Sequence, residues 1–327
     1  MDFRTELTIK PSPIQIGLKE GILTLGSCFA DTMGKKFFEN KFHVCVNPFG
    51  TSYHPFAIHK LLNYAVFQEY PQGHTYVRNQ DAHLNYDFHS RFRGTSLNEV
   101  QENINSIIAS VHFFIKQCST VIITYGTAWV YEREDTGEAV ANCHKMPGKL
   151  FTKRLSKPEE ITASFNEMVR NLRAINPNVR LLLSVSPVRH VKDTLALNSL
   201  SKSVLRMACH EVTEIHSGIE YFPSYEIMVD DLRDYRFYKD DLIHPTSMAE
   251  DYIWDKFRAA YFSKTTADFI DKLTGIKKAL AHRPFDAGGP SHKKFLTDLL
   301  AQLEALRPHA DLSNEIEDIR KQIAVTA

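Results

Sequence analysis

Ile22-Leu23-Thr24-Leu25-Gly26-Ser27-Cys28-Phe29-Ala30 reads as a strand breaking into a helix. Ile22 to Leu25 is an apolar run of β type, Gly26 releases the backbone, and Phe29, Met33 and Phe37 recur every four residues along one helical face. This pattern places Ser27 at a strand-to-helix turn. A hydroxyl there is expected to project from the top of a sheet, beside unpaired N–H groups of the first helical turn suited to stabilising a negative oxygen. The plainer reading is that Ser27 caps the helix, since serine is a favoured N-cap.

Asp241-Leu242-Ile243-His244-Pro245-Thr246 adds weight to the chemical reading. A carboxylate three residues before a histidine, on a loop feeding a new helix, supplies a base and its orienting acid from one short segment. The chain order Ser, Asp, His is one of the known triad orders.

Between these two motifs, strand and helix patterns alternate as in a parallel α/β sheet. Phe42–Val46 reads as a strand, 55–67 as an apolar helix, and 68–96 as a long irregular excursion. A helix over 97–117 leads into the buried strand Thr120–Tyr125, and Trp129–Cys143 alternates around Thr136-Gly137 as a hairpin. Ser156-Lys157-Pro158-Glu159 reads as a capping box, opening a helix whose buried stripe is Ile161, Phe165, Met168 and Leu172. Leu181–Val185 is a further buried strand, 196–216 a helix, Ile219–Phe222 a short strand, and Thr246 or Ser247 the cap of a helix to Phe262. These strands bring Ser27, Gly126, Ser186 and the Asp241 loop to the carboxyl ends of one sheet, where open α/β folds bind ligands.

Beyond residue 270, Leu296, Leu299, Leu300, Leu303 and Leu306 form a narrow seam, continued by Ile316, Ile319 and Ile323 after Pro308. The seam reads as a tail folded back on its own domain or, as the alternative, a homo-oligomer contact through the C-terminal helices. The domain expectation is a catalytic unit over 1–268 and a helical extension over 269–327.

The 39 basic and 39 acidic residues cancel, so no nucleic-acid or anionic-membrane surface is expected. A polar start without an apolar h-region or spanning run reads as cytoplasmic. Five scattered cysteines argue for reduced thiols. His43-Val44-Cys45 and Cys143-His144 match no zinc spacing, so neither metal nor cofactor is expected.

Several further stretches carry a resemblance. Gly26-Ser27-Cys28-Phe29-Ala30, Asn47-Pro48-Phe49-Gly50-Thr51-Ser52-Tyr53, Tyr125-Gly126-Thr127-Ala128-Trp129, Asn142-Cys143-His144-Lys145, Ser186-Pro187-Val188-Arg189-His190 and Asp241-Leu242-Ile243-His244-Pro245 resemble, in order, the motifs of the GSCFA family. That family is similar to the SGNH (GDSL-like) hydrolases, which include esterases, lipases and carbohydrate deacetylases. The resemblance implies a three-layer α/β/α fold with a flavodoxin-like, mostly parallel sheet. It also implies a serine hydrolase of short-chain acyl esters.

In that reading Ser27 attacks the ester carbonyl, His244 takes its proton and Asp241 holds the imidazole. The Ser27 N–H and, by match to the SGNH pattern, Gly50 serve the oxyanion. The pattern's Gly-x-Asn-Asp is replaced here by Gly126-Thr127-Ala128-Trp129, leaving Asn142 or Thr127 as substitutes for its side-chain donor. The aspartate of Gly-Asp-Ser is absent as well. Cys28, beside Ser27, reads as an inert small hydrophobe pointing along a different direction, with a nucleophilic thiol as the alternative. His83 and His89 read as surface residues, with cleft lining as the alternative.

Tyr53, Trp129, Tyr131, Arg189 and His190 suggest a polar cleft with aromatic walls, fitting a small or carbohydrate-like ester carrying an O-acetyl group. Arg236 is a further candidate for reaching that ligand. An O-acyltransferase using the same serine, or a non-catalytic binding protein on this scaffold, are the competing readings.

Overall fold

The computed structural model describes residues 4–281 and 289–325. Residues 282–288 and 326–327 of the expected C-terminal extension lie outside the described residues, as do 1–3 at the start. Two compact units emerge. One holds Gly21–Lys35 and Val44–Asp255 with the described N-terminal residues to Thr8; the other holds Ile9–Glu20, Lys36–His43 and the described residues from Lys256 onward.

The first unit is built on five parallel strands: β1 (Ile22–Gly26), β2 (Val44–Val46), β5 (Thr120–Tyr125), β9 (Arg180–Val185) and β10 (Ile219–Tyr221). Their spatial order is β2-β1-β5-β9-β10. This is the flavodoxin-like order, in which the direction of winding reverses between β1 and its neighbour β5. The crevice at that reversal, outside the carboxyl ends, is where Gly26 and Gly126 lie.

Alternation explains the two faces of the sheet. Leu23, Leu25, Val121, Ile123, Leu181 and Leu183 join one core with α2 (Pro55–Phe67), α3 (Leu97–Ile115), α4 (Pro158–Ile175) and α5 (Leu195–Ile215). Ile22, Thr24, Ile122 and Leu182 on the opposite face are buried too. There α1 (Cys28–Glu39) passes so close that a Cβ on Gly34 would meet Val46 and Thr24 side chains. Covering on both faces is what strands as uniformly apolar as β5 and β9 require.

Three local expectations change. The 68–96 excursion contains an antiparallel hairpin, β3 (Tyr76–Asn79) and β4 (Ala82–Asn85), whose polar sequence hid the strands. The expected 129–143 hairpin, β6 (Trp129–Arg133) and β7 (Ala139–Val140), gains a third strand, β8 (Phe151–Leu155), along its other edge. Ser156 does not cap α4. Its hydroxyl lies 2.9 Å from His54 Nε2, while the Lys157 N–H donates to Glu160 at 2.7 Å.

The chain returns from β10 through α6 (Ser224–Glu226) and a π-helical turn to α7 (Ser247–Tyr261), where Thr246 Oγ1 accepts from the Ala249 N–H. In the second unit, α8 (Lys264–Ala281), α9 (Pro290–Leu306) and α10 (Ser313–Val325) follow. Leu296, Leu299, Leu303 and Leu306 of the seam are buried there, as are Ile316 and Ile319, with α9 packing on α10. Phe37, Phe42, Phe257 and Phe262 form an aromatic cluster in the same unit.

Gly26 carries the tightest steric demand near the crevice. Its φ is +126°, and a Cβ there would stand 2.1 Å from the Thr124 carbonyl oxygen. Gly26→Ala is therefore expected to lose about 3 kcal/mol or more of stability, or to fail to fold, because strain and backbone overlap coincide. Urea unfolding measures the loss. A change under about 1 kcal/mol would show that β1 and β5 can separate at this end.

Candidate active site

At the carboxyl ends of the parallel strands the first unit encloses a cleft of about 800 Å³. Loops after β1, β2, β5 and β9 and the Ile243-His244 segment all reach it. Each loop is held by an identifiable contact. Asn47, itself buried with φ +41°, accepts from Gly26 N–H at 3.2 Å and donates to Asp31 at 3.0 Å, tying the turn after β2 to the end of β1. The Gly126 N–H donates to Tyr53 O at 2.8 Å, joining the loops after β5 and β2.

The first two turns of α5 do the rest. Asn198 Oδ1 accepts from His190 N–H at 2.9 Å, and Ser201 Oγ accepts from Ala128 N–H at 2.7 Å. Lys202, 1% exposed, donates to the carbonyls of Gly126 at 2.8 Å and Ser186 at 2.7 Å. Burial lowers its pKa to about 7. Sequence reasoning passed over this lysine, although a signal existed: 198, 201, 202, 205, 208, 209 and 212 make one buried stripe, and its first three members are polar. Polar side chains on a core-facing stripe need partners, and here the partners are the loops of the cleft.

The carboxylate–imidazole contact forms as its spacing suggests. Asp241 Oδ2 lies 2.7 Å from His244 Nδ1, and Oδ1 accepts from the Ile243 and His244 N–H groups at 2.9 and 3.0 Å. These bonds, the His244 backbone N–H foremost, hold the Asp241 carboxyl down to about 2. His244 lines the cleft, and its Nε2 makes no hydrogen bond among the described residues.

Ser27 is placed otherwise than expected. It is 0% exposed and does not line the cleft; its Oγ accepts from the Phe29 N–H at 3.3 Å, which is a capping role. Its own N–H donates to Thr124 O at 3.0 Å, so it is not available to an oxyanion. Cys28, the next residue, is the one in the cleft wall. One residue at a helix start rotates the side chain by about 100°, which changes which of the two side chains faces the cleft. Burial and then Asp31 push the Cys28 thiol up; its own N–H, Lys202 and the Phe29 N–H oppose them.

The other expected oxyanion donors divide. Gly50 N–H is engaged by Asn47 O at 2.8 Å, and Gly50 is needed for φ +78° close against His89. Thr127 Oγ1 lies 3.0 Å from Ser201 Oγ and accepts from Trp129 N–H, while its own N–H donates to Tyr53 O. Asn142 does line the cleft; its Oδ1 accepts from His144 N–H at 2.8 Å, leaving Nδ2 without a partner among the described residues. The N–H groups of Cys28 and Thr51, two other cleft residues, likewise make no hydrogen bond among the described residues.

The expected binding residues Tyr53, Trp129, Arg189 and His190 all reach the cleft. His190 packs edge-on against Tyr53, and burial together with Lys202 lowers its pKa to about 4, so it is neutral. His89 also lines the cleft, whereas His83 pairs with Gly94 in an antiparallel bridge. Arg236 pairs with Asp234 and is not a cleft residue. His54, which sequence reasoning did not single out, borders the cleft and is held neutral by burial, at about 3.

Lys202 gives a pH signature. A lysine whose folded pKa is about 7 and whose unfolded value is about 10.4 binds fewer protons when folded over that interval, so stability rises with pH there. Its burial cost is fully present below about pH 7. In urea unfolding, the wild type is expected to gain on Lys202→Met as pH rises from about 7 to about 9. A pH-independent difference would mean the lysine is not depressed.

Sequence comparisons place the chain. Residues 21–257 match the model of the GSCFA family, and residues 273–325 match that of the GSCFA domain protein C-terminal domain. No curated protein matches significantly. Among solved structures, the chain is similar to a carbohydrate esterase family 3 protein from Talaromyces cellulolyticus, at 9% identity and TM-score 0.35, over 77% of this chain and 98% of that one. A family 3 carbohydrate esterase of Clostridium thermocellum follows at 12% and 0.31, over 78% and 98%. The acetyl xylan esterase Est2A of Butyrivibrio proteoclasticus stands at 12% and 0.27, over 64% and 56%. Likenesses this distant carry no inference about chemistry. The family match spans most of the chain, and the protein belongs to the GSCFA family.

Proposed function

We propose that the protein cleaves short-chain acyl esters through a covalent acyl-enzyme, with His244 as base and Asp241 as its orienting acid. The observation that carries this reading is that Cys28 and the Asp241-bound His244 line one cleft at the switch point of the sheet. The nucleophile in this proposal is the Cys28 thiol, because Ser27 is enclosed and caps α1.

A thiol pushed up by burial is protonated at neutral pH, so it needs a base at the moment of attack. His244 Nε2 takes the Cys28 proton as Sγ bonds to the ester carbonyl carbon. The oxygen that becomes negative is served by the unengaged N–H groups of Cys28 and Thr51, with Asn142 Nδ2 as a side-chain donor. Collapse breaks the C–O bond to the alcohol, which leaves with the proton from His244. Water, activated by the same imidazole, then hydrolyses the thioester. If a sugar hydroxyl replaces that water, the same steps give acyl transfer. The aromatic walls of Trp129 and Tyr131 suit a ring-bearing substrate, so an O-acetylated carbohydrate-like or small polar ester is the substrate class proposed.

Acid-quenching the protein during turnover of p-nitrophenyl acetate and mapping the adduct by mass spectrometry tests the assignment. One acetyl group is expected on Cys28, released by neutral hydroxylamine as a thioester is. Cys28→Ala should then lower kcat/KM by about a thousandfold or more. Ser27→Ala should cost mainly about 1 kcal/mol of stability. An acetyl group on Ser27 would restore the serine mechanism, and absence of any adduct or turnover would leave a binding protein. Asp241→Asn is expected to reduce kcat by orders of magnitude with a smaller effect on KM, because the imidazole loses its orienting partner. Unchanged kcat would remove Asp241 from the mechanism.

A further inference from the structure

The charges lining the cleft are not balanced, although those of the chain are. Over the whole sequence 39 basic residues offset 39 acidic ones. In the cleft wall, Lys145, Lys153, Arg189 and Lys192 face a single carboxylate, Asp193. That carboxylate is already engaged, since Lys153 pairs with it and rests over the rings of Trp129 and Tyr131 at 5.1 and 5.5 Å. Asp241, on the neighbouring loop, is occupied by His244. Lys145, Arg189 and Lys192 therefore remain without an ion pair among the described residues.

Arg189 is the best prepared of the three. Its guanidinium carbon lies 3.9 Å over the Tyr238 ring centroid and 5.3 Å from that of Tyr235, and Nη1 donates weakly to Leu242 O at 3.4 Å. The cation–π contact holds the guanidinium in place while leaving donors unused, which suits a flat or tetrahedral anion. Arg189 and Lys192 flank His190, whose Nε2 is buried without a partner. Arg189 is half-buried while Lys145 and Lys192 are exposed, and cations gathered around one concave cleft attract a ligand of opposite sign more strongly than the same charges spread over open surface do.

We propose that the substrate carries an anionic group, carboxylate or phosphate, alongside its acyl ester, and that Arg189 and Lys192 hold that group. This rests on the ester-cleaving reading of the same cleft. The anion fixes the position of the substrate ring against Trp129 and Tyr131 and so sets which acyl group reaches Cys28. The substrate class is thereby narrowed from neutral polar esters to acylated acids, such as an acetylated sugar acid or sugar phosphate.

Binding and turnover are measured separately. By calorimetry at low salt, 4-acetamidobenzoate and 4-acetamidophenyl phosphate are compared with the neutral 4-acetamidobenzamide, none of which is an ester of a carboxylic acid. At least one anion is expected to bind about tenfold or more tightly than the neutral ligand, and which one wins distinguishes carboxylate from phosphate. The preference should shrink with added salt and fall to about twofold or less in Arg189→Gln and in Lys192→Gln. Equal affinity of all three ligands, no binding of any, or a preference untouched by both substitutions overturns the inference. Hydrolysis of 4-acetoxybenzoate and 4-acetoxybenzamide then separates the two readings. Turnover of both at equal kcat/KM removes the anion inference and keeps the esterase; anion-selective binding without turnover of either keeps the anion site and removes the esterase.

Discussion

The contact between Gly26 and the backbone of Thr124 is the constraint from which the site follows. With φ at +126° and space for no Cβ, Gly26 lets β1 turn out of the sheet directly against β5, and the Ser27 N–H closes the approach on Thr124 O. Gly26 is then bracketed from the other side: its N–H by Asn47 Oδ1, its carbonyl by Asn47 Nδ2 and the Ser52 N–H. Three strand ends are thereby locked at the position where the winding of the sheet reverses. Buried backbone groups must find partners, so every bond made here also fixes a loop. The start of α1 has no freedom left, and Cys28 rather than Ser27 is turned toward the crevice.

On the far side of the crevice the same function falls to side chains. Asn198, Ser201 and Lys202 occupy core positions of α5 that an ordinary amphipathic helix would give to Leu or Val. Each is buried, and each is satisfied by a backbone group of a cleft loop. A satisfied buried hydrogen bond contributes only about 1 kcal/mol net, yet removing one partner strands the other at a larger cost. Such polar contacts add modest stability and strong positional definition. A lysine between two carbonyl oxygens joins the carboxyl ends of β5 and β9 beneath the cleft.

Much of this was legible in the residues themselves. Strands as apolar as Val121-Ile122-Ile123 and Leu181-Leu182-Leu183, alternating with helices of clear period, dictate a doubly covered parallel sheet. The Asp241–His244 pair was legible because it is local: three residues of loop suffice to close it. The β3–β4 hairpin and β8 were not, because their residues are mixed polar and half-buried, and such strands exist only through their neighbours. Ser156 shows the same limit, since its capping pattern was overruled by His54, distant in sequence and adjacent in space.

The sequence by itself determined the fold class, the strand-to-helix turn at Gly26 and the Asp241–His244 contact, since each depends on hydrophobic period or on contacts a few residues apart. Only the tertiary structure decided which atoms meet in the cleft. A rotation of about 100° per helical residue separates Ser27 from Cys28, and no periodicity argument reports which of them a particular sheet will bury. Nor does chain-wide neutrality reveal a cationic site. Lys145 lies on the loop after β7 and Arg189 and Lys192 on the loop after β9, and their charges add only because the fold brings those two loops around one cavity.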